Sequence, residues 1–239
     1  PPGRPTITAQ WGHVAGTRKS AATAKARFTC SPINVISKIM SDQPQIFNRA
    51  LHRHRRNRAA SQSLDADFLR IEAAERLAER LDDVTHDFKR AALIGAGRGH
   101  LARAFHGRNG VETLISLDLA HTQLATSTDP SAFKICADEE WLPLKEGAFD
   151  LIASSFVLHW VNDLPGTLIQ INRALRPDGF FIANLFGNDT LTELRQSLLA
   201  AEAAMGSGVA PRISPFMDVR QAGALLQRGG FTLPVTDID

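Results

Sequence analysis

Apolar positions along the chain follow two rhythms. Between Asp67 and Leu81, the residues Phe68, Leu69, Ile71, Leu77 and Leu81 recur at roughly helical spacing with charges between them. From residue 91 onward, short apolar runs alternate with helical patterns. Strands are expected at 91–94, 113–117, 133–136, 149–154 and 180–185, with helices at 100–106, 121–126, 164–175, 191–205 and 219–228. Arg176-Pro177-Asp178-Gly179 reads as a turn, because proline sets φ and glycine tolerates positive φ. The run 231–235 reads as the start of a sixth strand, and Asp239 follows before a seventh. Strands alternating with helices predict an α/β fold, a mostly parallel sheet covered on both faces.

The run at 91–94 breaks into Gly95-Ala96-Gly97-Arg98-Gly99, and a helical pattern begins at once. Asp118 closes the next apolar run, twenty-one residues past Gly97. A strand, a glycine loop and a helix bring backbone close to a nucleotide-like ligand, and a carboxylate at the next strand end can accept both ribose hydroxyls. A dinucleotide loop would need glycine or alanine at position 100, where this chain has His100. The G-x-G-x-G form suits S-adenosylmethionine (SAM), which has no pyrophosphate to cradle.

Composition narrows the picture. Net charge is +2 in 239 residues, too small to imply nucleic acid, and no apolar run is long enough to span a membrane. Cys30 and Cys136 suggest no disulfide framework. Residues 1–39 hold six Lys/Arg, eight Ser/Thr and no acid, fitting either a mitochondrial presequence or upstream read-through before Met40. Residues 40–90 form a basic, helical N-terminal region, and 91–239 the ligand-binding domain. Five arginines and two histidines lie between Arg49 and Arg58. That run reads as a solvated helical face, or as a grip for phosphates, a membrane surface or an acidic partner.

Beyond the third strand, Asp138 can accept the exocyclic amine of adenine or cap a helix, while Trp141 or Leu142 packs on the ring. The fourth strand places Ser154 to His159 around the reacting end. His159 is the candidate general base, or else packs with Trp160 over the ligand. Asn188, Asp189, Thr190 and Arg195 would sit near the pocket mouth. Asp189 or Thr190 would cap the following helix, and Arg195 would read a substrate carboxylate or lie on the surface.

GAGRG, SLD, ADEEWLPL, FDLIASS, LHWVNDLP and LRPDGFF together resemble the class I SAM-dependent methyltransferase domain over residues 91–185. IFNRAL, FGNDTLTELRQSL and ISPF extend a narrower likeness to the methyltransferase-fold assembly factors of respiratory complex I and their bacterial relatives. Malonyl-carrier-protein O-methyltransferases are more distantly similar. The resemblance implies a Rossmann-like fold whose C-terminal strand hairpin is truncated here. It implies SAM as cofactor, with Gly95, Gly97 and Gly99 beside its methionine part, Asp118 at the ribose hydroxyls, and Ala96, Leu119 and Ser154 as further cofactor-binding residues. Asp138 and Glu139 would flank the adenine.

The implied acceptor is a small molecule, a carrier-bound acyl group or a protein side chain, including a complex I subunit. The complex I relatives are regarded as protein-arginine hydroxylases, and a non-catalytic assembly chaperone is a further alternative. No His-x-Asp or His-x-Glu pair marks an iron triad. The implied compartment is the cytoplasm for a bacterial protein and the mitochondrial matrix for a eukaryotic one. One position departs from the family: the acid usually found two places before the first glycine, which helps organise the ligand's amino end, is Leu93.

Overall fold

The computed structural model describes residues 45–62, 64–127, 132–206, 208 and 210–238. The presequence expectation for 1–39, and Cys30 with it, lies outside them. The elements run α1 (Arg49–Ala59), α2 (Phe68–Glu79), β1 (Arg90–Ile94), α3 (His100–Phe105), β2 (Thr113–Asp118), α4 (His121–Thr126), β3 (Ala132–Cys136), β4 (Phe149–Ser155), α5 (Leu164–Ala174), β5 (Leu175–Asn184), α6 (Thr192–Met205) and α7 (Val219–Arg228).

The five strands form one parallel sheet in the order β3-β2-β1-β4-β5. Connections leave β1 toward β2 and return on its other side to β4, so the switch in strand order lies between β1 and β4. Ligands of open α/β sheets bind beyond the carboxyl ends of strands at such a switch.

Alternation along β1 builds two cores at once. Ala91 and Leu93 face a cluster with Leu77 and Ala78 of α2 and Leu101, Ala102 and Phe105 of α3. Ala92 and Ile94 face a second cluster with Leu168, Ile171 and Ala174 of α5. Every residue of β4 is buried, as expected for a central strand covered on both faces. Asp163 opens α5 by accepting the Gly166 N–H at 2.9 Å, with Pro165 in the first turn.

Three expectations change. The helix expected around 67–81 forms, but its buried face is Ala73, Ala74, Leu77 and Ala78, while Phe68 is 71% exposed. Small residues let the helix approach the sheet closely. The run 231–235 forms no strand, because it pairs with none: Phe231 packs on Phe181 at 5.2 Å, whereas Leu233 is 94% exposed. Neither Asp189 nor Thr190 caps α6, whose cap position is Leu191 in left-handed conformation with no side-chain cap. The 176–179 turn survives as a bulge inside β5. Phe149 faces Leu175 and Leu151 faces Phe180, so the extra residues loop out with Asp178 at φ +63°.

Candidate functional site

At the carboxyl end of β1 the chain turns on Gly95, Gly97 and Gly99, at φ +73°, +54° and +87°. The loop is tied to β2: Gly95 and Ala96 donate their N–H groups to the Leu117 carbonyl at 2.9 and 3.0 Å. The first two glycines serve different ends. A Cβ at Gly95 would lie 2.5 Å from Val157, a clash with a packed side chain. A Cβ at Gly97 would meet nothing closer than 3.9 Å, so that residue borders open space.

Asp118 ends β2 with 0% exposure. One carboxylate oxygen accepts the Gly97 N–H at 2.9 Å and the other the Ala120 N–H at 2.8 Å. The carboxylate is therefore aimed at the glycine loop by backbone alone, and it also pairs with the guanidinium of Arg56. Past β3, Asp138 accepts the Glu140 N–H at 3.1 Å, a local turn contact, and also receives Arg49 at 2.6 Å. Glu139 is 1% exposed and pairs with Arg49 through one oxygen, while its Oε1 has no partner. Burial raises the Glu139 carboxyl to about 7, with Arg49 pulling the other way.

The basic run is thus more than a solvated face. Asn48 caps α1 by accepting the Leu51 N–H, and Arg53, His54, Arg55 and Arg58 are exposed. Arg49, His52 and Arg56, spaced three and four apart, share the inward face. His52 stacks on Trp160 at 4.7 Å, and Phe47 meets the same ring edge-on at 5.2 Å. Burial, then Arg56 and Arg49, lower His52 to about 4.

Beside the glycine loop lies a cavity of about 230 Å³, bordered by Gly95, Gly97, Arg56, Arg70, Arg98 and Ser155. Arg98 is occupied: it pairs with Asp67 at 3.2 Å and donates to the carbonyls of Ala59, Ala60 and Gln62. His100 also contacts Asp67, at 2.9 Å. Arg70 has no hydrogen-bonded or ion-paired acid among the described residues, and burial lowers its pKa. Leu93, fully buried in the core, offers no charge to this cavity.

Ser154 is buried on β4 with its hydroxyl unpartnered. After β4, Phe156 adopts φ +49° and stacks on Phe186 at 4.6 Å. His159 sits in the short helical turn Leu158–Trp160, edge-on to Phe186 at 4.9 Å and to Phe216 at 6.2 Å. Its Nδ1 is buried without a partner, and burial with nearby Arg70 lowers its pKa to about 4, so it is neutral near pH 7. Ala96 and Leu119 are buried around the loop, whereas Trp141 turns outward at 55% exposure and Leu142 packs on the α5 side. Arg195 donates to the Asn188 carbonyl at 3.1 Å and so ties its own turn, rather than lying free.

Sequence reasoning found the acids and the glycine loop. It missed Arg49, Arg56, Arg70 and the aromatic cluster of Phe156, Phe186 and Phe216. The helical spacing of Arg49, His52 and Arg56 was the one signal available for the first two.

Sheet order, glycine loop and the buried acid at the end of β2 define a class I methyltransferase domain, and residues 93–183 match the family model described as "Methyltransferase domain". The same fold appears in the methyltransferase complexed with the Trm112 activator from Haloferax volcanii, with TM-score 0.58 and 16% identity over 73% of this chain and 75% of that one. An S-adenosylmethionine-dependent methyltransferase from Mesorhizobium loti gives TM-score 0.53 and 23% identity over 68% and 83%. The chain belongs to the methyltransferase-domain family that includes "Arginine-hydroxylase NDUFAF5, mitochondrial". It is 39% identical to the rat protein over 99% of this chain and 70% of that one. Against the human protein the identity is 43% over 81% of this chain, which spans 57% of that protein's length. The malonyl-[acyl-carrier protein] O-methyltransferase of Methylovorus sp. is 33% identical over 84% of this chain and 69% of its own. No helix among the described residues is long and apolar enough to cross a membrane.

Proposed function

We propose that this protein binds SAM beyond the carboxyl ends of β1, β2 and β3 and transfers its methyl group to an acceptor entering beside His159. Asp118 carries this reading: a fully buried carboxylate at the end of β2, fixed by backbone N–H groups against a glycine loop. Its oxygens suit the two hydroxyls of a ribose. Asp138 and Glu139 would receive the adenine amine, with Leu119 against the ring, and the unpartnered Glu139 Oε1 and Ser154 Oγ match a ligand rich in donors and acceptors. Gly95, Ala96, Gly97 and Gly99 would border the methionine part, whose carboxylate Arg70 would take.

When bound, SAM supplies a methyl carbon on a sulfonium leaving group. The chain's part is to hold both reactants in line and to exclude water. His159, neutral at pH 7, would accept the acceptor's proton. The aromatic cluster of Phe156, Phe186 and Phe216 keeps that end dry and favours an acceptor with an apolar or planar group.

A second reading follows from the family and from Leu93. The protein would act on an arginine of a partner protein during assembly of respiratory complex I, as a hydroxylase or as a chaperone without catalysis. A mitochondrial matrix location belongs to this reading for a eukaryotic source, and the cytoplasm for a bacterial one. The exposed arginines of α1 would allow peripheral contact with a membrane surface.

Calorimetry with SAM and its product S-adenosylhomocysteine (SAH), on the wild type and Asp118→Ala, tests the core of the proposal. Binding by the wild type that is lost in Asp118→Ala supports it; binding unchanged in Asp118→Ala refutes it. Mass spectrometry of an isolated partner then separates the readings, since methyl transfer adds CH₂ and hydroxylation adds an oxygen atom.

A further inference from the structure

The two arginines on the inward face of α1 make the ion pairs that a nucleoside would need to replace. Arg56 pairs with Asp118, and Arg49 with Asp138 and Glu139, so both guanidiniums sit on the carboxylates assigned above to ribose and adenine. Neither group reaches them by chance. Arg49 also donates to the Trp160 carbonyl at 3.0 Å, and Phe47 and Asn162 exchange hydrogen bonds at 2.7 and 3.1 Å that fix the start of α1. Its far end is held by Gln123 on the Arg56 carbonyl at 2.8 Å and by the Thr122 N–H on Asn57 at 3.0 Å. A helix so anchored presents its two cations to three acids from the ends of β2 and β3.

We propose that Arg49 and Arg56 form an internal plug of the nucleoside pocket, mutually exclusive with the cofactor. The inference rests on the reading that these acids bind a nucleoside. A guanidinium and a ribose diol are both donors to a carboxylate, and the space over Gly97 is bordered by Arg56 itself, 3.9 Å from a Cβ position there. Entry of the nucleoside turns the two side chains out, with α1 retained by its anchors at both ends. Cofactor loading then adds two cations to the already basic outer surface of α1.

A site competent only when its plug is out binds with an affinity reduced by the competent fraction. Removing the plug therefore strengthens binding. SAH affinity is measured by calorimetry on the full chain for the wild type, Arg49→Gln, Arg56→Gln and the double variant. The expected result is a gain of about tenfold in the double variant; unchanged or weaker binding overturns the plug. A second readout needs no variant to fold well. In ¹⁵N-labelled wild-type protein, the buried Nε–H groups of Arg49 and Arg56 are expected to give slowly exchanging signals, and saturating SAH to move them into fast exchange with water. Signals that persist at saturation overturn the proposal while leaving the SAM reading intact. A wild type and a double variant that both fail to bind SAH remove the SAM reading, and the plug falls with it.

Discussion

At the scale of single residues, chemistry at the glycine loop divides between packing and ligand. Gly95 combines φ +73° with a Cβ position 2.5 Å from Val157, so Gly95→Ala meets both left-handed strain and overpacking. A loss of about 3 kcal/mol is expected from denaturant midpoints. Gly97→Ala meets only the strain, and about 1 kcal/mol is expected. Arg70 is the complementary case, a half-buried cation proposed above to take the ligand's carboxylate. Arg70→Met is expected to weaken SAH about tenfold, the scale of one charged hydrogen bond, and to leave methylthioadenosine, which lacks the amino-acid end, unchanged. Equal effects on both ligands would remove the carboxylate role. Asp118 and the glycines were legible in sequence because their geometry is local: a strand end, a turn, a strand end. Arg70 was not, because its distinction is that the nearby acids Asp67 and Asp118 pair with other arginines, a property of packing rather than of spacing.

Elements show where sequence patterns succeed and why they fail. The strands of the sheet were legible because buried parallel strands are short apolar runs, and 91–94 against Arg90–Ile94 differs by one residue. Helix α2 was legible as a helix, and Leu77 and Leu81 do mark its buried side, but Phe68, Leu69 and Ile71 at its start are exposed and the rest of the buried face is alanine. Run 231–235 has strand composition but no partner to pair with. Helix α1 carries the element-scale prediction, a pH dependence with two opposed parts. His52 and His159 are depressed to about 4, so their stability is present above pH 6.5 and lost as pH falls toward 4. Glu139 is raised to about 7, so its contribution is present below pH 4.5 and lost as pH rises through 7. Protonating His52 puts a third cation beside Arg49 and Arg56 on the same face. In thermal melts between pH 7 and 4, His52→Gln is expected to flatten the acid side of the curve. An unchanged acid slope would place the sensitivity elsewhere.

For the whole molecule, the plug makes stability and ligand affinity two sides of one equilibrium. Ion pairs between α1 and the strand ends stabilise the fold through an eleven-residue helix that otherwise shows solvent four charged or polar residues, Arg53, His54, Arg55 and Arg58. A ligand binding only the native state stabilises it by RT ln(1 + [L]/Kd), about 2.7 kcal/mol at a hundredfold excess over Kd. In the wild type part of that gain is offset by the pairs given up. In the Arg49→Gln, Arg56→Gln double variant nothing is given up, although the protein starts from a lower melting temperature because Asp118 and Glu139 keep their burial and lose their cations. Melting curves at equal SAH concentrations should therefore cross-compare in a definite way. The double variant has the lower baseline and the larger upward shift, since a tenfold lower Kd adds about 1.4 kcal/mol at the same ligand concentration. A smaller shift in the variant would mean that the arginines hold the cofactor rather than its place, and helix α1 would then be part of the binding site in the ordinary sense.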